Sequence, residues 1–564
     1  MTYRAPVAEM RFLLDHVLGA SRLAGTGRFA EATPETVEAI LNEAARLAED
    51  VLAPTRRDGD RTPARLENGV VRASPGFADA YRAIAAGGWV GMTADPAFGG
   101  MGLPVTVMSC VNEMSAAANL ALSICPLLSQ GQIEALEYHG DEALKAVYLP
   151  KLVSGEWTGT MNLTEPQAGT DVGAVRTKAE AVGDGTFRVT GQKIYISWGD
   201  HDMAENVVHL VLARLPDGAA GTKGISLFVV PKLIPDTAGR PGVANRVRVI
   251  SLEHKMGLHG SPTCVMEYDG ALGLIVGRPH GGLAAMFTMM NNARLGVGLQ
   301  GVGVAEAALQ AAVAFARDRR QGPTPVSSEP GILGHADVRR MLATMTALTS
   351  TARAVALDCA LAIDMGRATG AAEWTARAAF LTPIAKAFGT DAGCAVAEMA
   401  VQVHGGMGYI EETGVAQFYR DVRVTPIYEG TNGVQAMDLV GRKLADGGDA
   451  ARRMLAEVAA TADAAGGDLG VRLATVCGAL GDATDWMLAA EINDRFAGAA
   501  PYLRAFALVL GGRYLLRGAM AEGDGGQRAA LAAFHMHRLA TEVPGLCAGA
   551  TAGAAGLYAL DLAS

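Results

Sequence analysis

The 564-residue sequence is poor in features that would tie it to a disulfide scaffold, a metal site, a membrane or a polyanion. Its seven cysteines, Cys110, Cys125, Cys264, Cys359, Cys394, Cys477 and Cys547, form no C-x-x-C pair and show no zinc-ligand spacing. They read as reduced core residues of a cytoplasmic protein, and no metal is expected. Positive charge is not in excess. The formal net charge of −10 argues against broad phosphate binding, because nucleic-acid binders usually carry a basic face. Small molecules or proteins are the expected partners, with no nucleic acid. No run of about 18 uncharged apolar residues occurs, so no membrane span is expected. Arg4, Glu9, Arg11 and Asp15 interrupt the apolar pattern at the start, so no signal-peptide core is present and export is not expected. No internal repeat is evident. The chain is 50% hydrophobic and 19% charged, the composition of a soluble globular protein, and its length suits about three or four domains. Its abundant Ala and Gly suggest closely packed helices.

The spacing of apolar residues predicts helices over Glu35–Leu52, Phe77–Gly87, Pro104–Leu122 and Ser129–Tyr138, with a loop at Asp95–Gly102. The pattern changes near Trp157. Phe187–Ile196, Asn206–Ala213 and Ile225–Val230 are β-rich runs separated by Gly, Asp and Pro, and predict a small barrel or sandwich. After Gly281 the helical period returns in Ala293–Arg317, His335–Met365, Glu373–Ala387 and Asp391–Val403, which suggests an antiparallel bundle. Ala445–Asp449 reads as a linker. Beyond it, Ala451–Ala464, Val471–Glu491, Tyr502–Ala519 and Gln527–Ala540 form a further helical module with nearly balanced charge.

Thr425-Pro426-Ile427-Tyr428-Glu429-Gly430-Thr431-Asn432-Gly433 sets one carboxylate between an aromatic ring and a glycine. Glu429 can serve there as a base, or it can be a locally bonded loop carboxylate. Upstream, the glycines of Gln402-Val403-His404-Gly405-Gly406 allow backbone to approach a bulky ligand closely. His404 has no second metal-ligand residue at a usual spacing and reads as a packing or hydrogen-bonding histidine. The loop Met161–Asp171 carries Thr164 and free backbone donors that could bond a heterocycle edge; it also suits a strand-connecting turn. Lys193-Ile194-Tyr195-Ile196-Ser197-Trp198 sets a ring and a hydroxyl at a strand end, where they could meet a flat cofactor or belong to an ordinary half-buried strand. Arg294, Arg319 and His335 lie near helix ends, where solvated residues are common.

In this order and at these separations, the motifs resemble the acyl-CoA dehydrogenase family over about residues 35–447. The extra helical module and the early Tyr3–Leu18 segment make the chain similar to a longer bacterial subgroup, as do Lys255–Thr263 and Met286–Asn291. The resemblance implies an α+β multidomain fold. Residues 1–34 would be an N-terminal extension, 35–157 a helical domain, 158–276 a β-barrel, 277–447 a four-helix bundle and 448–564 an extra C-terminal helical domain.

The resemblance also implies FAD between barrel and bundle, reaching a neighbouring subunit. Met161, Leu163 and Thr164 match the loop at the flavin pyrimidine edge, and Tyr195 and Ser197 match the strand covering the flavin. Arg319 matches a residue meeting the FAD pyrophosphate, and His335 one that helps hold the cofactor. Gln402, Val403, His404, Gly405 and Gly406 match a stretch contributed across a dimer, and Thr431 and Asn432 match contacts to FAD phosphate or ribose. Thr170, Asn291, Arg294 and Gly430 fall at substrate positions, and Glu429 matches the catalytic base. Glu429 would take the α-proton of a thioester while its backbone N–H and a flavin ribityl hydroxyl bond the thioester oxygen and N5 accepts the β-hydride. Burial should raise its pKa.

The implied activity is α,β-dehydrogenation of a short acyl-CoA such as 3-methylmercaptopropionyl-CoA, with electrons passed to an electron-transfer flavoprotein and a homodimer as the assembly. An oxidase using O2 is the rival within the class. A nucleic-acid-associated flavoprotein of the same fold is the rival outside it, and the slight acidic excess over 451–564 counts against that one. Two departures from shorter relatives stand out. Trp198 follows Ser197 where Asn is frequent, and Arg317–Pro323 lacks an aromatic before its glycine.

Overall fold

The computed structural model describes residues 3–326, 331–523 and 525–562. It contains two compact units, one built from 46–104 and 118–293 and the other from 3–45, 105–117 and 294–562.

In the first of these, seven strands form one sheet: β1 (Trp157–Asn162), β2 (Lys178–Ala181), β3 (Thr186–Ser197), β4 (Asn206–Arg214), β5 (Ile225–Pro231), β6 (Val247–Leu252) and β7 (Thr263–Val276). The order β6-β7-β3-β2-β4-β1 is closed by β5, which pairs with both β4 and β7. That closure makes a barrel and leaves few free edges. Val189, Val211, Phe228, Val230, Met266 and Tyr268 belong to its buried core. The three β-rich runs recognised in the sequence are β3, β4 and β5. β7 escaped that pattern because Asp269, Gly270 and Gly273 interrupt it. Gly273 is needed because a Cβ there would lie 2.9 Å from the Val230 side chain and 3.1 Å from the Val229 carbonyl.

The other unit is helical. Its long helices are α1 (Val105–His139), which enters with its first turns, α2 (Gly282–Asp318), present from Arg294 onward, α3 (Ala336–Thr369) and α4 (Ala372–His404). The short α5 (Asn432–Asp438) follows, and then α6 (Asp449–Ala465), α7 (Gly467–Ala489), α8 (Ala499–Glu522) and α9 (Gln527–Phe534). Two expectations change. The segments expected at Pro104–Leu122 and Ser129–Tyr138 are continuous in α1, broken only at Asn119 (φ −153°, ψ 92°), whose side chain accepts from Leu122 N at 3.1 Å. Glu373–Ala387 and Asp391–Val403 are one helix, α4, because Thr390 returns its hydroxyl to the Lys386 carbonyl and stays helical. Gly389 in that join lets α4 cross α2 closely. A Cβ on Gly389 would lie 2.7 Å from the Gly298 carbonyl, and one on Gly301 only 2.3 Å from the Gly389 carbonyl.

α1, α2 and α3 are long and apolar enough to cross a membrane by length and composition, although the sequence suggested no such run. Between 78% and 89% of each apolar window is buried inside the fold, so this apolarity serves helix packing. A buried ion triad joins the three helices: Arg353 on α3 donates to Glu113 on α1 and to Glu306 on α2. The C-terminal module is tied to the bundle through Asp358, which accepts from Arg377 and Tyr514, and through Glu457, which pairs with Arg377 and Arg513. The early segment is docked as well. Gln310 bonds the backbone of Arg4, and Arg528 of α9 pairs with Glu9 while lying over the Phe12 ring. All seven cysteines are free, and six are buried.

Candidate active site

Thr425–Gly433 runs into α5, whose first turn is capped by Thr431 Oγ1, accepting from Val434 N at 3.3 Å. To reverse there the chain enters the left-handed region at two successive residues, Glu429 (φ 57°) and Gly430 (φ 82°). Glycine adopts this conformation freely, whereas a glutamate needs support from its surroundings. That support comes from two side chains. Gln435 donates to the carbonyls of Glu429 and Gly430 at 3.1 and 3.3 Å, and Lys386 Nζ donates to the Gly430 carbonyl at 2.9 Å. A side chain at Gly430 would displace the first brace, since its Cβ would sit 2.9 Å from Gln435 Nε2.

Among the described residues, the Glu429 carboxylate has no hydrogen-bond or ion-pair partner, and its N–H meets no protein acceptor. Although part of its surface is accessible, the carboxyl lies deep among protein atoms. Burial pushes its pKa up to about 7, while the positive charges of Arg294 and Lys386 pull the other way. Arg294 is 6% exposed, with its own pKa lowered by burial, and its Nη1 lies 3.9 Å from Asp438 Oδ2. Lys386 is fully buried, and burial brings its pKa down to about 8. Tyr428 hydrogen-bonds Gln300. The arrangement is a desolvated, unpaired carboxylate poised near neutrality beside an open backbone donor, which suits abstraction of a weakly acidic proton next to a carbonyl.

Lys386, Gln435 and Asp438 were not singled out in the sequence. A signal for Lys386 exists, since it is the only charged residue between Arg377 and Asp391, and a lone lysine in an apolar helical stretch is a buried-lysine pattern. Two expectations need revision. Arg294 is not a solvated helix-face residue; it is buried and faces Glu429 and Asp438. Asn432, expected on a cofactor, turns its side chain into the protein, donating to Ala387 O and Asp391 Oδ1 and accepting from Lys386, while its N–H bonds Pro426 O.

In the barrel unit, the N–H groups of Leu163 and Thr164 and the hydroxyls of Thr164 and Ser197 have no protein partner among the described residues. Their loop follows Met161 on β1 and is held by Glu165, which accepts from Lys193 Nζ at 2.8 Å, Thr177 and Arg176 N. Tyr195 has φ 60° and stays 61% exposed, because a bulge opposite Cys264 and Met266 turns it out of the ladder. Trp198, in the place of the frequent Asn, also has φ 55° but is fully buried, donating Nε1 to Ala121 O at 3.2 Å. Thr170 and Asn291 are exposed.

In the helical unit, Arg319 is exposed with no side-chain partner among the described residues, and His335 precedes α3 with Nε2 3.2 Å from Gln321 O. His404 is buried, bonds Ala400 O at 2.7 Å and stacks on Phe315, as a packing histidine does. Val403 beside it is buried as well, whereas Gln402, Gly405 and Gly406 are exposed. The sequence-derived candidates thus fall into three groups: the base loop, the barrel loop with its strand end, and the Arg319–Gly406 face of the bundle.

Family models cover most of the chain: the acyl-CoA dehydrogenase N-terminal domain matches residues 34–156, the middle domain 160–271 and the C-terminal domain 280–445. An acetyl-CoA dehydrogenase C-terminal-like model matches 454–561. A 3-methylmercaptopropionyl-CoA dehydrogenase of Ruegeria pomeroyi is 45% identical, covering 89% of this chain and 88% of its own. A butyryl-CoA dehydrogenase of Syntrophomonas wolfei is 34% identical over 75% of this chain and 72% of its own. The structure of Caenorhabditis elegans ACDH-11 in complex with C11-CoA, 20% identical, shares the fold over 95% of this chain and 91% of its own with a TM-score of 0.77.

Proposed function

The chain belongs to the acyl-CoA dehydrogenase family of oxidoreductases, and from that premise we propose that it converts a short acyl-CoA to its trans-2,3-enoyl-CoA with Glu429 as the base. The observation that carries the reading is the unpartnered, desolvated Glu429 carboxylate in a left-handed loop whose own N–H is open. Glu429 takes the α-proton, and its N–H donates to the thioester oxygen as charge accumulates there. The favoured substrate is 3-methylmercaptopropionyl-CoA, giving 3-methylmercaptoacryloyl-CoA, a choice supported by the name of the 45% identical relative.

Among the described residues, the open donors of Leu163, Thr164 and Ser197 and the outward Tyr195 ring suit a flavin, and we assign them to FAD. When bound, FAD supplies the two-electron acceptor for the β-hydride. An electron-transfer flavoprotein is the proposed onward acceptor. A homodimer is the proposed assembly, with Gln402–Gly406 at its interface. Met407, Tyr409 and Ile410 are exposed beside that stretch and favour burial against a second copy. Light scattering of the purified protein is expected to give the dimer mass; a tetramer would remove this assignment.

The experiment for the function is anaerobic bleaching of the oxidised flavin band with a panel of acyl-CoAs. Bleaching by 3-methylmercaptopropionyl-CoA or butyryl-CoA supports the reading, and no bleaching by any acyl-CoA rejects it. The pH dependence follows from the base. Only the ionised carboxylate accepts a proton, so the bleaching rate constant at low substrate should fall about tenfold per unit below pH 7 and level off above it. A profile flat from pH 5.5 to 8 would exclude a base of raised pKa.

A further inference from the structure

We infer that Lys386 is a positioning residue for the base: from the neighbouring helix it anchors the left-handed Glu429–Gly430 turn through the Gly430 carbonyl and supplies positive charge that lets the buried carboxylate ionise. The inference rests on the proposed role of Glu429.

The geometry carries it. Lys386 is fully buried on α4, yet among the described residues no carboxylate lies within ion-pair distance of its ammonium. Its two acceptors are the Gly430 carbonyl and Asn432 Oδ1, each at 2.9 Å. Asn432 is itself fastened to α4 through Ala387 O and Asp391 Oδ1, so the ammonium and the amide together join the base loop to this helix. The backbone of α4 is fixed at this level by the crossing with α2, where a Cβ on Gly298 would lie 3.3 Å from Lys386 Cα. Arg294 stands one turn before Gly298 on α2, so two cations approach Glu429 from two helices.

A buried ammonium that only filled space would carry a large desolvation cost, since nothing neutralises it by direct contact. Here its charge acts at the carboxylate through the turn it anchors. The charged and titratable groups around the loop are Arg294 of α2, Lys386 and Asp391 of α4, Tyr428 of the loop itself, Asp438 of α5, and Arg442 and Lys443 just after it. Among the described residues, Arg294 and Lys386 are the charges that act appreciably on Glu429, both favouring its ionised form. Removing Lys386 therefore leaves burial opposed by Arg294 alone, and the carboxylate should hold its proton to higher pH.

The test uses the full-length protein and Lys386→Gln, which keeps a donor for the Gly430 carbonyl without the charge, beside Lys386→Arg, which keeps the charge. Infrared difference titration of the substrate-free protein follows the carboxylic-acid band lost in Glu429→Gln. In Lys386→Gln its midpoint is expected to rise by about one pH unit, and in Lys386→Arg to stay near that of the unsubstituted protein. The pH midpoint of acyl-CoA bleaching should move by the same amount. An unmoved midpoint in Lys386→Gln overturns the inference, whatever happens to the rate. If Lys386→Gln does not fold, Lys386→Arg decides. Its planar guanidinium presents donors in a different geometry from the ammonium and should hold the turn less well, so the bleaching rate at high pH should fall with the infrared midpoint unchanged, and an unaltered rate overturns the inference. Absence of bleaching in the unsubstituted protein would instead reject the proposed function, while the infrared midpoints still decide the role of Lys386.

Discussion

Glu429→Gln is expected to slow anaerobic flavin bleaching by about 10²–10⁴-fold, the range over which a positioned general base contributes. The substitution is nearly isosteric. It leaves the φ of 57° in place, and the backbone bonds to Gln435 and Lys386 do not involve the side chain. The N–H proposed to meet the thioester oxygen is also kept, so acyl-CoA should still perturb the flavin spectrum. Loss of rate with retained binding identifies an interaction made in the transition state alone. The carboxylate has no structural bond to lose, because no side chain hydrogen-bonds or ion-pairs with it among the described residues, and thermal stability should therefore not fall. Relief of a desolvated carboxyl would, if anything, raise it. Bleaching at an unaltered rate would place the base elsewhere.

The second large effect is on stability. Arg353→Met should cost on the order of 3–5 kcal/mol, the usual penalty when one partner of a buried ion pair is removed and the other charge stays behind. Arg353 is 2% exposed and donates to Glu113 at 2.6 and 2.9 Å and to Glu306 at 2.7 Å. Burial already raises the Glu113 pKa, and Arg353 is the group that lowers it. Without the arginine, Glu113 holds its proton in the folded state at pH values where the unfolded chain has released it. The folded variant then binds more protons than the unfolded one, so its stability must fall as pH rises above the unfolded value of about 4.3. The loss should be larger at pH 8 than at pH 5.5. Thermal midpoints at the two pH values check this, and adding Glu113→Gln with Glu306→Gln should recover much of the difference. Equal midpoints for Arg353→Met and the unsubstituted protein would mean that the triad does not hold α1, α2 and α3 together.

Local pattern made much of this protein legible. β3, β4 and β5 followed from their β-rich composition, and the helices from apolar spacing with Gly and Asp between them. Glu429 stood out because it lies between an aromatic and a glycine in a turn-forming stretch, and the family resemblance implied a role for it. Asn432 was noticed because it belongs to the same loop, and no local pattern showed that its side chain is bonded to α4. Within β7, glycine weakened the strand pattern, and in α4 Gly389-Thr390 looked like a break when the glycine in fact admits a neighbouring helix.

The amino-acid sequence by itself determined the family and the order of helical, β and helical segments, and it singled out Glu429 as the candidate base, because these depend on residues close together in the chain. Tertiary structure alone decided that Lys386 and Arg294 reach Glu429, that Glu113 and Glu306 share Arg353, and that Glu9 pairs with Arg528. Such contacts join residues tens to hundreds of positions apart. They form because a buried charge must find a partner or a shifted pKa wherever the packing of helices places it, and no local pattern records where that is.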